Sequence, residues 1–277
     1  MRKELTDSRA PELSSERRAY LRRKSRRHIA IQICRIAVLV ITIALWEILA
    51  RLGVIDSFIM SQPTRVLRTI LNFRQNNLPL HIGVTFLETI IGFTAGVIIG
   101  NLVALALWWS NFLSKVADPY LVVLNALPKI ALGPVIIIWV GAGMQAVIVM
   151  ALAISLVVTI LEMLSGFKNT DPELIKMAKT FGAGQMQTFI KIIFPSNLPT
   201  LFNCLKINIG LSLVGVIAGE FLVSRAGLGY LIVYGGQVFQ MDLVMTSVII
   251  LAALAALLYY GVVLLEYIVM KYVSHEK

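Results

Sequence analysis

Residues 145–164 read QAVIVMALAISLVVTILEML, twenty positions carrying a single charge, Glu162. A helix rises about 1.5 Å per residue, so about twenty residues cover the roughly 30 Å hydrocarbon core of a bilayer. In lipid the backbone must satisfy its own hydrogen bonds, and a helix does so within one segment. The stretch therefore predicts a membrane-crossing helix. Five more apolar runs lie around it, at 31–50, 82–107, 116–140, 201–223 and 243–272. The last is long enough to tilt or to extend past the bilayer. Barrel strands are short and alternate in polarity, which these runs do not. The expected fold class is all-α, a polytopic membrane protein with six transmembrane helices.

Composition agrees. The 277 residues are 58% hydrophobic and 14% charged, with a mean hydropathy of +0.82. Soluble domains have about 45–50% apolar and about 25% charged residues. The net charge of +10 would suit nucleic acid, but its distribution follows membrane topology instead. Residues 1–28 hold ten Lys or Arg against four acids, directly before the first apolar run. Basic flanks stay in the cytoplasm, so both termini of a six-span chain are expected inside. Arg51, Arg65, Arg68 and Arg74 in the first external loop run against that bias. Residues 1–30 read as a basic tail with an interfacial helix at 15–27, and 31–277 as the membrane domain. The apolar run after the tail is too long for a cleaved signal. No aromatic interleaving points to nucleic acid.

Catalysis and metal binding find little support. Cys34 and Cys204 have no C-x-x-C partner, and His28, His81 and His275 flank the spans. No metal site is expected, and no internal repeat stands out.

The loop at 165–200 is the longest between late spans, and loops of that length are usually functional or disordered. This one carries structure signals. Thr170-Asp171-Pro172-Glu173 offers a cap residue, a proline for the first turn and an acid near the positive helix end. Leu174, Met177, Ala178 and Phe181 then form one apolar stripe, and Gly182 stands where a left-handed residue would end the helix. Met186, Phe189, Ile190, Ile193 and Phe194 repeat the spacing until Pro195. Two short amphipathic helices are expected. They are marginal alone, so they lie on the bilayer, pack on their own bundle, or dock into a soluble partner.

Lys176-Met177-Ala178, Gly182 and Ile192-Ile193-Phe194-Pro195 resemble the cytoplasmic loop motif of ABC importer permeases: Glu-Ala-Ala, three residues, Gly, nine residues, Ile, any, Leu, Pro. Ala178, Gly182, Ile192 and Pro195 keep the spacing, while Lys176, Met177 and Phe194 depart from it. Leu127-Pro128, Ala131, Pro134, 138–143 (IWVGAG), Gly219-Glu220 and Gly227-Leu228-Gly229 are similar to the nitrate, sulfonate and taurine branch. The resemblance covers about residues 80–272. It implies a permease subunit in a bacterial cytoplasmic membrane, moving a small solute such as a sulfonate, a nitrate-like anion or a vitamin precursor. It implies a homodimer, a periplasmic or lipid-anchored substrate-binding protein, and separate ATP-binding subunits that hold ATP and Mg. No G-x-x-x-x-G-K-[ST] occurs in this chain. The coupling-helix loop would engage the ATPase through Asp171, Glu173, Lys176, Ala178, Lys179 and Gly182.

Charged and polar residues within spans mark functional positions by default. Glu88, Asn125, Lys129, Asn208, Ser212 and Glu220 are the candidates for a translocation path. Glu220 reads equally as a structural acid near the external end. Asn208, Ser212, Gly215 and Gly219 form a small, polar stripe that suits a path or close helix packing. Gly92, Gly96 and Gly100 favour packing. Glu47, Glu162 and Glu266 sit near span ends, at the interface. The segment 224–242, with Tyr230, Tyr234 and Phe239, resembles the periplasmic gate region of such permeases; as a bare sequence it reads equally as an interfacial helix held by aromatics. The competing functions are an ion-coupled secondary transporter, which predicts inverted repeats, and a membrane-embedded enzyme.

Overall fold

The architecture comes from a computed structural model that describes residues 15–72, 74 and 76–275; the basic stretch before residue 15 lies outside them. The described residues contain helices and no strand. Contacts divide the chain into two compact units that meet in sequence at Thr64 and Arg65.

In the first unit, α1 (Ser15–Arg51) is one continuous helix. The separate interfacial helix expected at 15–27 therefore runs directly into the first span, Ile29–Arg51. No Gly or Pro interrupts 15–51, so nothing in the backbone calls for a break. Gly53, at φ +71°, ends it. Next come α2 (Ser57–Met60), capped by Asp56, and the start of α3 (Pro63–Leu71). Glu47 does more than sit at an interface. Its carboxyl pairs with Arg51 at 2.6 Å and accepts from the backbone N–H and hydroxyl of Thr64 at 3.1 and 2.5 Å.

The second unit is built from α4 (Leu78–Trp109), α5 (Asn111–Ala126), α6 (Gly133–Val140), α7 (Met144–Lys168), α8 (Pro172–Thr180), α9 (Gln185–Thr188), α10 (Phe194–Ser196), α11 (Leu198–Val223), α12 (Leu228–Gln237) and α13 (Met241–His275). Helices α4, α7, α11 and α13 are each long and apolar enough to cross a membrane.

The glycine positions fix how α4 and α7 meet. Gly92 faces Ala151, Gly96 faces Ser155 and Gly100 faces Thr159. A Cβ on Gly92 or Gly100 would stand 2.6 Å from the Cβ of Ala151 or Thr159, well inside contact distance. These glycines therefore let the two backbones approach. Both series rise together, so α4 and α7 run parallel. In α11, Gly215 lies against Ala151 and Gly219 against Val147, so α11 is antiparallel to both.

Two parallel helices need a return crossing between them, which α5 and α6 supply. The run at 116–140 is broken where its prolines, Pro128 and Pro134, lead one to expect, and the break is sharp: Asn111–Ala126 and Lys129–Val140 meet at 87°. Pro128 has no N–H to donate and keeps Leu127 extended, at ψ 138°. A 3₁₀ turn at Lys129–Leu132 then leads into α6. Ile136 packs with Ala146 and Met150, which seats α6 on α7. The bent pair and five straight spans, counting that of α1, make six crossings.

Two apolar clusters hold the ends of this bundle. Leu107, Met163, Phe167, Phe189, Ile193 and Cys204 pack at the α8 end. Leu78, Leu213, Leu228, Leu231, Leu243 and Leu251 pack at the far end.

Candidate functional site

At the α8 end, each local sequence signal has become a contact. Asp171 Oδ1 accepts from Glu173 N at 2.8 Å and Pro172 opens the helix. At its close, Ala183 N donates to Ala178 O and Gly182 N to Lys179 O, both at 3.0 Å. That is a Schellman ending, and it needs the left-handed φ of +75° at Gly182. The body of α8 is thus rigidly bounded at both ends.

Its apolar stripe is divided. Ala178 is buried, but Leu174, Met177 and Phe181 are 38%, 50% and 83% exposed. Asp171, Glu173, Lys176 and Lys179 are exposed around them. Burying a large apolar side chain contributes about 1.5–3 kcal/mol, and nine residues are too few to hold a helix in water alone. A second surface is needed to cover this face.

The second half of the loop behaves differently. The regular helix expected through 186–194 is instead α9, a π turn at Phe189–Ile193, and α10. Phe194 N donates to Phe189 O, and Pro195 has no N–H to continue the α pattern. The widened turn drives Phe189 and Ile193 into the bundle. The Phe189 ring lies 5.3 Å from those of both Phe167 and Trp108.

Asn197 ties the loop to the spans. Buried at the head of α11, its Nδ2 donates to Thr170 Oγ1 and to Ile193 O, each at 2.8 Å. Thr170 immediately precedes the α8 cap, so a buried polar link joins the start of α8 to the head of α11. Gln185 Nε2 donates to Trp109 O at 3.3 Å, which adds α4.

The far end carries a second polar assembly. Glu220 is 1% exposed. It accepts from Thr85 Oγ1 at 2.6 Å and from Gly229 N at 2.5 Å. Thr85 Oγ1 also accepts from Leu228 N at 2.8 Å, and His81 Nδ1 from Gly227 N at 2.9 Å. The leading N–H groups of α12 are therefore capped by side chains of α4 and α11. Any side chain on Gly227 or Gly229 would run into the Glu220 carboxyl, so both must be glycine.

Of the proposed path residues, the structure brings Glu88 and Glu220 together. Their carboxyls are direct neighbours. Asn208 and Ser212 are fully buried on α11, with Asn208 Nδ2 donating to Cys204 O at 3.0 Å. Asn125 and Lys129 stand apart from both groups, at the bend, where Lys129 Nζ donates to Asn125 O at 3.1 Å. Lys206 and Glu266 form a 2.6 Å ion pair between α11 and α13.

Sequence reasoning did not single out Thr85, Thr170 or Asn197 as site residues. Hydroxyl and amide side chains inside apolar runs were the available signal, since a buried polar group needs a partner.

A family model described as "Binding-protein-dependent transport system inner membrane component" matches residues 92–275. A Haemophilus influenzae protein named "Probable ABC transporter permease protein" is 30% identical over 222 residues, which is 80% of this chain and 90% of the relative. The taurine transport system permease protein TauC of Escherichia coli is 25% identical over 241 residues, covering 85% of this chain and 86% of TauC. Among solved structures, a chain of the MetNI methionine ABC transporter, seen inward facing, superposes with a TM-score of 0.62 at 20% identity. It covers 68% of this chain and 94% of the other. At that identity the likeness is one of fold.

Proposed function

Since the chain belongs to the binding-protein-dependent transport system inner membrane components, the permeases of ABC importers, we propose that α8 is the lever by which a separate ATPase drives it. The observation that carries this reading is the uncovered stripe of Leu174, Met177 and Phe181 on a helix whose two ends are fixed. A groove on a soluble ATPase subunit would bury it, in the helix-in-groove mode. Exposed Lys176 and Lys179 call for an acidic rim on that groove.

On this reading the α8 end is cytosolic, with both termini on the same side, and the far end faces the binding protein. ATP and Mg reside on the partner. Closure of two ATPase subunits pulls α8, the Thr170–Asn197 link passes the movement to α7 and α11, and the bundle turns as a body. Two copies of this chain form the pathway, as two-fold symmetry is the commonest closed arrangement. The cargo is a small solute. Curated relatives include permeases for taurine and formylaminopyrimidine.

The test is reconstitution with the cognate ATPase and binding protein in vesicles. Hydrolysis should rise when loaded binding protein is added, and solute should accumulate only with ATP. Uptake driven by an ion gradient without nucleotide would overturn the reading.

A further inference from the structure

A trough of about 680 Å³ opens between α3, α4 and α13, walled by Ile70 of α3, Leu78, Ile82 and Phe86 of α4, and Ile250 and Leu257 of α13. Every residue on its wall is apolar, so it offers nothing to orient a polar solute. The wall spans Leu78 to Phe86 on one helix and Ile250 to Leu257 on the other, about 12 Å and about 10 Å of rise. Gly83 leaves room within it, as a Cβ there would meet nothing within 4 Å. Such a surface suits a hydrocarbon chain.

Arginines cluster at one end of the trough. Residues 65–87 hold Arg65, Arg68 and Arg74 and no acid. Arg65 and Arg68 lie a turn apart on α3, just before Ile70, and Arg74 stands four residues before Leu78. Arg68 and Arg74 are exposed and Arg65 is half-buried. The ion pairs among the described residues, Glu47 with Arg51 and Lys206 with Glu266, involve none of the three. On the same helix Leu67 and Leu71 are 57% and 69% exposed. Bare leucines and arginines on one short helix suit the boundary between hydrocarbon and headgroups. Basic residues are usually retained on the cytoplasmic side, so this cluster calls for an anion on the opposite one.

We propose that this trough seats an acyl chain of an anionic phospholipid from the outer leaflet, whose phosphate is met by Arg65, Arg68 and Arg74. A guanidinium matches phosphate oxygens two at a time and gives up its water more readily than an ammonium. A zwitterionic lipid brings the same phosphate together with a cation that opposes the arginines, so the site selects net negative charge. The seated chain bridges α3 to α4 and α13 and covers their apolar wall. The importer reading above supplies only the leaflet, because it turns the far end of the bundle outward.

The test uses the permease–ATPase complex in vesicles, with Phe86→Trp as a fluorescent reporter on the trough wall. Quenching by lipids with brominated chains reads which lipid lies beside it, once the signal of the complex without the reporter is subtracted. Phosphatidylglycerol should be preferred to phosphatidylcholine about threefold or more at low salt, and less at high salt. Arg65→Gln, Arg68→Gln and Arg74→Gln made together should bring that ratio to about one. Gly83→Leu, which fills the trough, should cut quenching by both lipids. A ratio of about one with the arginines intact, a ratio unchanged in the triple variant, or quenching indifferent to Gly83→Leu would each overturn the proposal. So would a reporter that neither lipid quenches, which would assign the trough to a helix of a second copy. Failure of the importer reading stays distinct, since it shows as ATP hydrolysis indifferent to loaded binding protein.

Discussion

Thr85 and Glu220, 135 residues apart in sequence, share a 2.6 Å hydrogen bond in the buried far end of the bundle. The same Thr85 oxygen accepts from Leu228 N at 2.8 Å. One hydroxyl therefore joins α4, α11 and the first turn of α12.

Thr85→Val keeps the shape and removes the hydroxyl, leaving the Leu228 N–H and one Glu220 oxygen unpaired. Each such group costs about 1–3 kcal/mol. We predict that hydrogen exchange at 227–230 quickens about ten- to hundredfold, with little change in α7. Unaltered exchange would show that other groups hold these amides.

The α8 face gives a prediction about assembly. Phe181→Asp or Met177→Asp should abolish co-purification of the ATPase, because a carboxylate would have to be buried in the docking groove. Membrane insertion and the thermal transition of the permease alone should not change, since both side chains are largely exposed. A variant that still binds the ATPase at wild-type strength would remove α8 from the interface.

Gly100→Leu tests the close approach of α4 to α7. Even a Cβ there meets Thr159 at 2.6 Å, so a leucine must force the helices apart. Overpacking of this kind costs about 1–3 kcal/mol or more. The thermal midpoint in detergent should fall by several degrees, and Gly83→Leu, which meets nothing within 4 Å, should leave it in place.

Lys206 and Glu266 should show coupling. Their 2.6 Å pair is about one-quarter exposed, so solvent screens it only in part, and removing one partner leaves the other charge poorly compensated. Lys206→Glu and Glu266→Lys should each destabilise the bundle, and the double exchange should recover most of the loss. Additive losses would show that the ion pair contributes nothing.

What the sequence could reveal depended on how far each signal reached along the chain. The α8 boundaries were legible because Asp171, Pro172 and Gly182 act within a turn of themselves. The contact between α4 and α7 was legible in outline, since glycines four apart mark a flat helix face. Their parallel direction was not, because a G-x-x-x-G pattern carries no orientation. Pro128 and Pro134 announced a break in the third run, yet its angle depends on the seat that Ile136 finds on α7. The π turn at Phe189–Ile193 also escaped, because helical spacing describes 186–194 equally well until Pro195 withholds its amide. The partnership of Thr85 with Glu220 was out of reach of any periodicity. Glu220 could be read as a path residue or a structural acid, and only its neighbours show that it caps α12.

The sharp bend between α5 and α6 also bears on how the protein is made. Lys129 stands at its corner, with Lys115 and Asp118 earlier, and a lysine at the centre of a span costs about 2.5–3.5 kcal/mol. Its seat on Ala146 and Met150 exists only once α7 has been synthesised. The third span therefore gains its full set of contacts only when α7 stands beside it.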